Sequence, residues 1–249
     1  MNNQIILWLS SIIIVFLIGY IKNITDKDYP ITSTFGIEGK KVSYKLDKVS
    51  YEKSSYKNII ISDVHGLEGK IVWIKDDVNH EAAYKEIERG LECEIPKLKA
   101  AQNIKYKVIL NYLDKRYEIP ENDFVTLTFW GNIPSSINIF SFILLYSGLL
   151  MSIRCLLELF NKNKNLKKHA VIACTFFITL TTIIYPLRNS YKLEAINNYI
   201  PSLMDLIEPI LISILFMWIS GAILIFNKKY TTTVTIFISS ATILLFFFL

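Results

Sequence analysis

Five strongly apolar stretches constrain the fold of this chain more than any other feature of its sequence. They cover residues 5–21, 137–159, 170–187, 209–226 and 230–249. Because a helix rises about 1.5 Å per residue, a run of about 20 apolar residues crosses the hydrocarbon core of a bilayer. Each stretch therefore predicts a membrane-spanning helix, and together they predict an α-helical membrane bundle of five spans.

A long polar block, residues 22–134, separates the first apolar stretch from the other four. The block carries 18 Lys and Arg against 18 Asp and Glu, so the formal net charge of +5 comes from the rest of the chain. A net-neutral block has no electrostatic footprint for nucleic acid, which we exclude as a partner. Cys93 is the one cysteine in the block's sequence, so an internal disulfide is excluded and the block needs a core of its own.

The N-terminal stretch has two interpretations, an uncleaved signal anchor and a signal peptide. Its first four residues contain no Lys or Arg, and residues 18–21 offer no small-x-small cleavage site. Both observations favour the anchor. The predicted domains are therefore a transmembrane signal anchor at residues 1–21, the polar block at 22–134 and a four-helix transmembrane region at 135–249.

The basic residues of the connections predict the orientation in the membrane. Those around the second-to-third and fourth-to-fifth connections are Arg154, Lys162, Lys164, Lys167, Lys168, Lys228 and Lys229. The third-to-fourth connection contains acidic residues instead, namely Glu194, Asp205 and Glu208, beside Arg188 and Lys192. The positive-inside rule then predicts a cytoplasmic N-terminus and an extracytoplasmic block. We interpret these basic residues as topology determinants, with a patch for nucleic acid or an acidic partner as the alternative.

A period of two inside the block predicts β-strands. In residues 104–112 the apolar and aromatic side chains alternate with mostly polar ones. Similar runs occur at residues 41–46, 58–62, 70–75, 84–89, 91–95, 116–119 and 124–130. About seven or eight strands over about 100 residues are typical of a two-sheet β-sandwich.

The block resembles an immunoglobulin or fibronectin type III domain over residues 30–131. The resemblance is carried by Trp73 in a mid-domain strand, by the strand at residues 91–96, and by the strand with Tyr106 and Val108 that leads to a hairpin at Asp114. The paired cysteines of antibody-type domains are missing from the sequence, so a generic sandwich stays open. The resemblance implies an Ig-like sandwich inserted between the first and second spans.

The whole chain also resembles an uncharacterised group of bacterial multi-pass membrane proteins. The residues that carry this resemblance are the run 32–44 after the first span, together with Pro201 and the Asp205-Leu206 pair in a later outer connection. The chain departs from the group at residues 207–209, where a more polar continuation is expected. The resemblance implies a multi-pass protein of the bacterial plasma (inner) membrane, and it implies no activity.

Two short motifs echo calcineurin-like metallophosphoesterases. Residues 58–66 form a strand that ends in Asp63, Val64, His65 and Gly66, and His80 follows about 15 residues later. A dinuclear centre needs a bridging Asp and further histidines that the block lacks. We therefore expect no catalytic residues, cofactor or metal, and we keep a single ion held by Asp63, His65 and His80 as the alternative.

The outer connection after the third stretch contains the candidate interaction surface, Arg188, Tyr191, Asp205 and Glu208. Ser202 and Asp205 match a capping box, and acidic residues near a helix N-terminus are favoured by its dipole. Structural capping with interfacial anchoring is one interpretation. A carboxylate pair that serves a metal, a proton or a partner is the other.

The spans themselves contain no ionisable residue near their middle, where ion-coupled transporters generally place one. Arg154 and Glu158, four residues apart, are expected to pair at the cytoplasmic edge with little consequence for function. We therefore expect an interaction or assembly protein, not an enzyme, whose partners are the lipid bilayer and other membrane or envelope proteins; no small-molecule substrate is identified. The alternative is a transporter or channel subunit.

Overall fold

A computed structural model of the chain describes residues 3–52, 54–121, 123–161, 165–195 and 201–249. The chain divides into two compact units. The helical unit comprises Met1–Asp26, Ile133–Tyr191 and Ala195–Leu249, and the sheet unit comprises Lys27–Asn132 with Lys192–Glu194. Lys162 and Lys164, two of the predicted topology determinants, lie outside the described residues.

Seven α-helices are described. They are α1 Asn3–Thr25, α2 Ser135–Glu158, α3 Leu166–Thr179, α4 Tyr185–Lys192, α5 Leu203–Leu206, α6 Pro209–Phe226 and α7 Thr231–Phe246. A π-helical turn, Leu180–Ile184, joins α3 to α4, so that Leu166–Lys192 is one continuous helical run.

Four of these helical runs are long and apolar enough to cross a membrane. They are Asn3–Thr25, Ser135–Glu158, Leu166–Lys192 and Pro209–Phe226. The fifth predicted span forms the apolar helix α7, which has 16 residues and is therefore about 24 Å long. The third run, Leu166–Lys192, extends beyond the predicted apolar stretch 170–187 at both ends. Its two ends are polar, so hydropathy alone does not detect them.

Small residues bring the helices of this unit close together. A Cβ added to Gly221 of α6 would lie 1.8 Å from the Ile238 Cδ1 atom of α7. The buried Trp218 indole N–H donates to Thr242 Oγ1 at 2.9 Å, and Ser239 Oγ donates to the carbonyl oxygen of Ser152 at 2.9 Å. Helix α2 contacts α1, α3 and α7, and α6 contacts α3 and α7. The helices therefore pack through close approach and interhelical hydrogen bonds, as small residues allow.

Eleven strands are described in the sheet unit. They are β1 Ile31–Ile37, β2 Lys40–Leu46, β3 Val49–Ser50, β4 Ser55–Ser62, β5 Glu68–Lys75, β6 Val78–Ala83, β7 Lys85–Ile87, β8 Gly90–Pro96, β9 Asn103–Tyr112, β10 Lys115–Ile119 and β11 Val125–Phe129. All eight predicted runs are strands. The additional strands are β1, β3 and β6.

Two sheets enclose one core in a β-sandwich-like arrangement. The first sheet, sheet A, has the order β1-β2-β4-β8-β7; the second, sheet B, has the order β3-β11-β9-β5-β6, and β10 also pairs with β9. Among the described strands, all pairings are antiparallel except the short parallel pair of β3 with β11. The predicted inward face of β9 is confirmed, since Ile104, Tyr106, Val108 and Leu110 are buried.

Candidate interaction surface

Arg188 and Tyr191 both lie on α4 and are half-buried. The Arg188 Nε atom donates to the Asn138 Oδ1 atom of α2 at 3.3 Å, and its guanidinium group lies 5.5 Å from the centre of the Tyr185 ring. Such a stacked, hydrogen-bonded arginine contributes to packing as well as charge. Arg188 therefore helps to hold α4 against α2.

Asp205 and Glu208 lie at two successive helix N-termini. The predicted capping box is confirmed, because Asp205 N donates to Ser202 Oγ at 3.3 Å and Ser202 N donates to Asp205 Oδ2 at 3.1 Å. Glu208 occupies the N-cap position of α6, and Pro209 opens that helix as the sequence indicated. The Asp205 carboxylate is therefore already committed to a structural role.

The structure connects these two regions through a residue that the sequence did not indicate. The buried Asn189 side chain on α4 donates its Nδ2–H to the Leu206 carbonyl oxygen at 3.0 Å, which ties α4 to the end of α5. Arg188 and Glu208 both lie within electrostatic range of Tyr185. The predicted residues thus share one end of the helical unit, and their use by a partner stays a prediction.

An open sheet edge is the most conspicuous binding feature of the sheet unit. Within the described residues β1 pairs only with β2, in a register that runs from Ile31 opposite Leu46 to Ile37 opposite Lys40. A strand paired on one side leaves alternate backbone N–H and C=O groups unpaired on the other. The seven residues of β1 include no charged residue and no proline, the usual devices that protect such an edge.

The other edge strands of the described sheets are protected. Strand β7 has three residues, two of which are Lys85 and Glu86, and β3 has only two residues. Strand β6 contains Glu81, and β10 contains a charged cluster of Lys115, Arg116 and Glu118. Because only β1 combines length with the lack of any charge, it is the edge on which another strand would add most readily.

A cleft of about 770 Å³ opens beside β1, between sheet A and strand β10 of sheet B. Its apolar wall is formed by Phe35 of β1, Tyr44 of β2 and Tyr117 of β10. Arg116 and Glu118 line the same cleft and add charges of both signs. The edge and the cleft together, hereafter the β1 site, combine free backbone groups with an aromatic pocket.

A buried ion pair lies near the end of α2. Arg154 and Glu158 pair as expected, and both side chains are 0% exposed, which the sequence did not indicate. The Asn161 Nδ2–H and the Asn165 backbone N–H donate to Glu158 Oε1 at 2.8 and 2.9 Å. A buried charge is retained in a fold only when it is paired and hydrogen-bonded in this way.

Helix α1 closes over this ion pair. The Gln4 side-chain oxygen accepts a hydrogen bond from Arg154, and the Trp8 ring lies 5.3 Å from the Arg154 Cζ atom. His169 of α3 contributes an edge-on contact to Trp8 at 6.0 Å, and its Nε2 atom lies 3.9 Å from Glu158 Oε2. Arg154 therefore joins α2 to α1 and acts as an interhelical clamp.

One signal in the sequence indicates this clamp. Arg154, Glu158 and Asn161 follow one another at spacings of four and three residues, which places them on one face of a helix. A polar face at the end of an otherwise apolar helix predicts a polar partner. The partner, Gln4, lies 150 residues away in sequence, so its identity was not predictable.

The metallophosphoesterase-like residues do not converge. His80 stacks on the Trp73 ring at 5.6 Å between β6 and β5, whereas Asp63 and His65 line a small cavity at the end of β4. Among the described residues, no three His, Cys, Asp or Glu side chains lie close enough to hold a metal ion.

Comparisons with protein-family models, with curated proteins and with solved structures gave no match to this chain.

Proposed function

We propose that the chain is an integral membrane interaction or assembly protein, a subunit or accessory factor of a bacterial envelope complex. In this proposal five helices span the plasma membrane, with the N-terminus in the cytoplasm. The strands of residues 31–129 form an Ig-like sandwich on the extracytoplasmic side. The single observation that carries the proposal is the unprotected edge of β1 beside an aromatic cleft.

Strand order supports the Ig-like assignment. An Ig-like sandwich places strands A, B, E and D in one sheet and C, F and G in the other. The order β2-β4-β8-β7 corresponds to A-B-E-D, and β11-β9-β5 corresponds to G-F-C. Trp73 then lies on strand C, where Ig domains place their core tryptophan. Strand β1 is an addition that extends the A edge of this order.

The β1 site favours an extended polypeptide segment as its ligand. A segment that adds to β1 would satisfy the free backbone groups and alternate its side chains between the two faces. Phe35 and Ile37 point to the core side of the sheet. Apolar side chains at every second position of the ligand would therefore face the cleft lined by Tyr44 and Tyr117.

Co-purification from membranes in a mild detergent tests this proposal. The variant Thr32→Lys/Thr34→Lys adds two charges to the edge strand, and we expect it to release partners that the unmodified protein retains. The matched control, Ser43→Lys, places a charge on the same outer face but on the inner strand β2. Isolation of the unmodified protein as a lone monomer under these conditions would count against the proposal.

The second candidate, a transporter or channel subunit, is favoured by the buried Arg154, Glu158 and His169. Ionisable residues inside membrane helices often mark transport pathways. Arg154 and Glu158 lie near the end of α2, and His169 lies near the start of α3. Reconstitution into liposomes tests this candidate. A transporter or channel subunit requires a flux of ions or solutes above that of empty liposomes.

A further inference from the structure

A basic cleft lies at one end of the helical unit and has no role in the proposed function. It has a volume of about 640 Å³ and lies between the start of α3, the end of α6 and the start of α7. Its lining residues are Asn165, Leu166, Lys167, Lys168, Ile225, Lys228, Thr231 and Thr232. We call it the lysine cleft. Three lysines and two threonines thus line one open space.

None of the described residues that line the lysine cleft has a carboxylate. Within the described residues, Lys168 and Lys228 form no ion pair, and the nearby Glu158 is buried against Arg154. The first turns of α3 and α7 contain no acidic residue, and neither helix has a side-chain cap. The positive charge of the cleft is therefore not balanced by the protein, so an anion would be attracted to it.

An apolar groove of about 440 Å³ lies between α3 and α6. Its walls are Val171, Cys174, Thr175 and Ile178 from α3, with Ile219, Ala222, Ile223, Phe226 and Asn227 from α6 and the turn after it. Lys167 connects the two cavities, because its Nζ atom donates to the Phe226 carbonyl oxygen at 3.1 Å and lies 5.1 Å from the centre of the Phe226 ring. Phe226 itself lines the groove.

We propose that the lysine cleft and this groove together bind one anionic phospholipid. The headgroup phosphate would lie among Lys167, Lys168 and Lys228, with Thr231 and Thr232 as hydroxyl donors. One acyl chain would occupy the groove toward Ile178 and Ile219. A zwitterionic headgroup would bring its own cation among three lysines, whereas an anionic headgroup would not. The proposal needs a membrane setting for the helices and does not depend on the β1 site.

Native mass spectrometry of the full-length protein in detergent, titrated with phosphatidylglycerol, tests the proposal. We expect phosphatidylglycerol to bind at least about ten-fold more tightly than phosphatidylcholine. Each lysine near a lipid surface contributes about a factor of five, so Lys168→Ala/Lys228→Ala should weaken binding about 25-fold. The matched control is Lys229→Ala, since Lys229 lies in the same turn and does not line the cleft. Equal weakening by the control variant would overturn the proposal.

Further experiments distinguish binding of a lipid from binding of a free anion, and distinguish loss of the site from a folding defect. Ala222→Phe fills the groove and should weaken phosphatidylglycerol binding, while inorganic phosphate should bind too weakly to compete. Lys168→Arg/Lys228→Arg keeps the charge and should restore binding if the alanine variant fails to fold. Loss of binding in the arginine variant while it remains folded, or competition by millimolar phosphate, would contradict a phospholipid site.

Discussion

The rings of Phe35 in β1 and Tyr117 in β10 lie 5.5 Å apart and connect the two sheets at one side of the sheet unit. Both side chains are half-buried, and both line the cleft beside the open edge of β1. The contact therefore has two consequences. It holds the edge strand in place, and it forms part of the apolar wall of the β1 site.

Replacement of Phe35 by Ala tests the structural consequence. Loss of the aromatic contact and of part of its buried surface should destabilise the sheet unit by about 1–2 kcal/mol. Hydrogen exchange of the full-length protein in detergent should show faster exchange in β1, with β9 unchanged. Phe35→Leu retains an apolar side chain and serves as the control; unchanged protection of β1 in Phe35→Ala would show that the contact does not hold the strand.

A buried network of tyrosines predicts a dependence of stability on pH. Tyr106 donates to the Asp47 carbonyl oxygen at 2.9 Å, Tyr84 donates to Asn58 Oδ1 at 2.5 Å, and the Tyr56 and Tyr106 hydroxyls lie 3.4 Å apart. Burial is the main cause that raises the pKa of Tyr56, Tyr84 and Tyr106 above that of a free tyrosine. The neutral hydroxyls are therefore favoured in the folded protein.

The sign of the pH effect follows from these raised pKa values. The stabilisation is fully present below the unfolded pKa of about 10 and is lost as the pH rises above it. In a spectrophotometric titration, the absorbance change of these three tyrosines should appear only together with unfolding. Titration of all 14 tyrosines near pH 10 in the folded protein would contradict this account.

The ion pair of Arg154 and Glu158 predicts strong coupling between two substitutions. Arg154→Met leaves a buried carboxylate without its partner, and Glu158→Leu leaves a buried guanidinium group, so each should cost about 3–5 kcal/mol. The double variant should recover much of this loss, because neither charge then remains unpaired. Thermal unfolding of the four proteins in detergent measures the coupling; additive losses would mean that the two charges act independently.

We predict that position 90 in sheet A, occupied by Gly90, does not tolerate a side chain. It begins β8 with a φ of +136°, and an added Cβ would lie 1.9 Å from the Ile60 carbonyl oxygen. A side chain there meets both backbone strain and a fixed backbone atom, so Gly90→Ala should cost about 2 kcal/mol or more. At Gly36, an added Cβ meets nothing nearer than the Lys40 carbonyl oxygen at 3.9 Å, so Gly36→Ala serves as the control.

The stability difference between the two glycine variants is the measured quantity. Thermal unfolding in detergent, followed by circular dichroism of the β-sheet signal, compares Gly90→Ala with Gly36→Ala. A smaller loss in Gly90→Ala than in Gly36→Ala would show that β4 and β8 separate easily at this point.

Alternation made most strands of the sheet unit predictable from the sequence. A strand with one buried face, such as β9, shows a period of two along its length, whereas only the last three residues of β1 alternate in burial, because its first four residues are all exposed. Strand β6 is also largely exposed and lacks the pattern for the same reason, and β3 has only two residues. The strand that carries the candidate site was therefore the kind of strand that a burial pattern cannot indicate.

In the helical unit, too, features set by local sequence were predictable and features set by distant contacts were not. The capping box of Ser202 and Asp205 was predictable, since both partners lie within one turn. The burial of Arg154 was not, since it depends on packing by Gln4 and Trp8 of α1. Hydropathy located the apolar helices, but it carries no information about which end of α2 lies against α1.

Site-specific photo-crosslinking tests the central claim, that β1 is the edge on which a partner adds. A photo-reactive amino acid at Thr34 of β1 is compared with one at Glu86 of β7, the opposite edge of the same sheet. In membranes from cells that express the full-length protein, we predict a discrete adduct from position 34 and none from position 86. We also predict that Phe35→Ala reduces the amount of the position-34 adduct. Equal adducts from both edges, or none from position 34, would contradict the account.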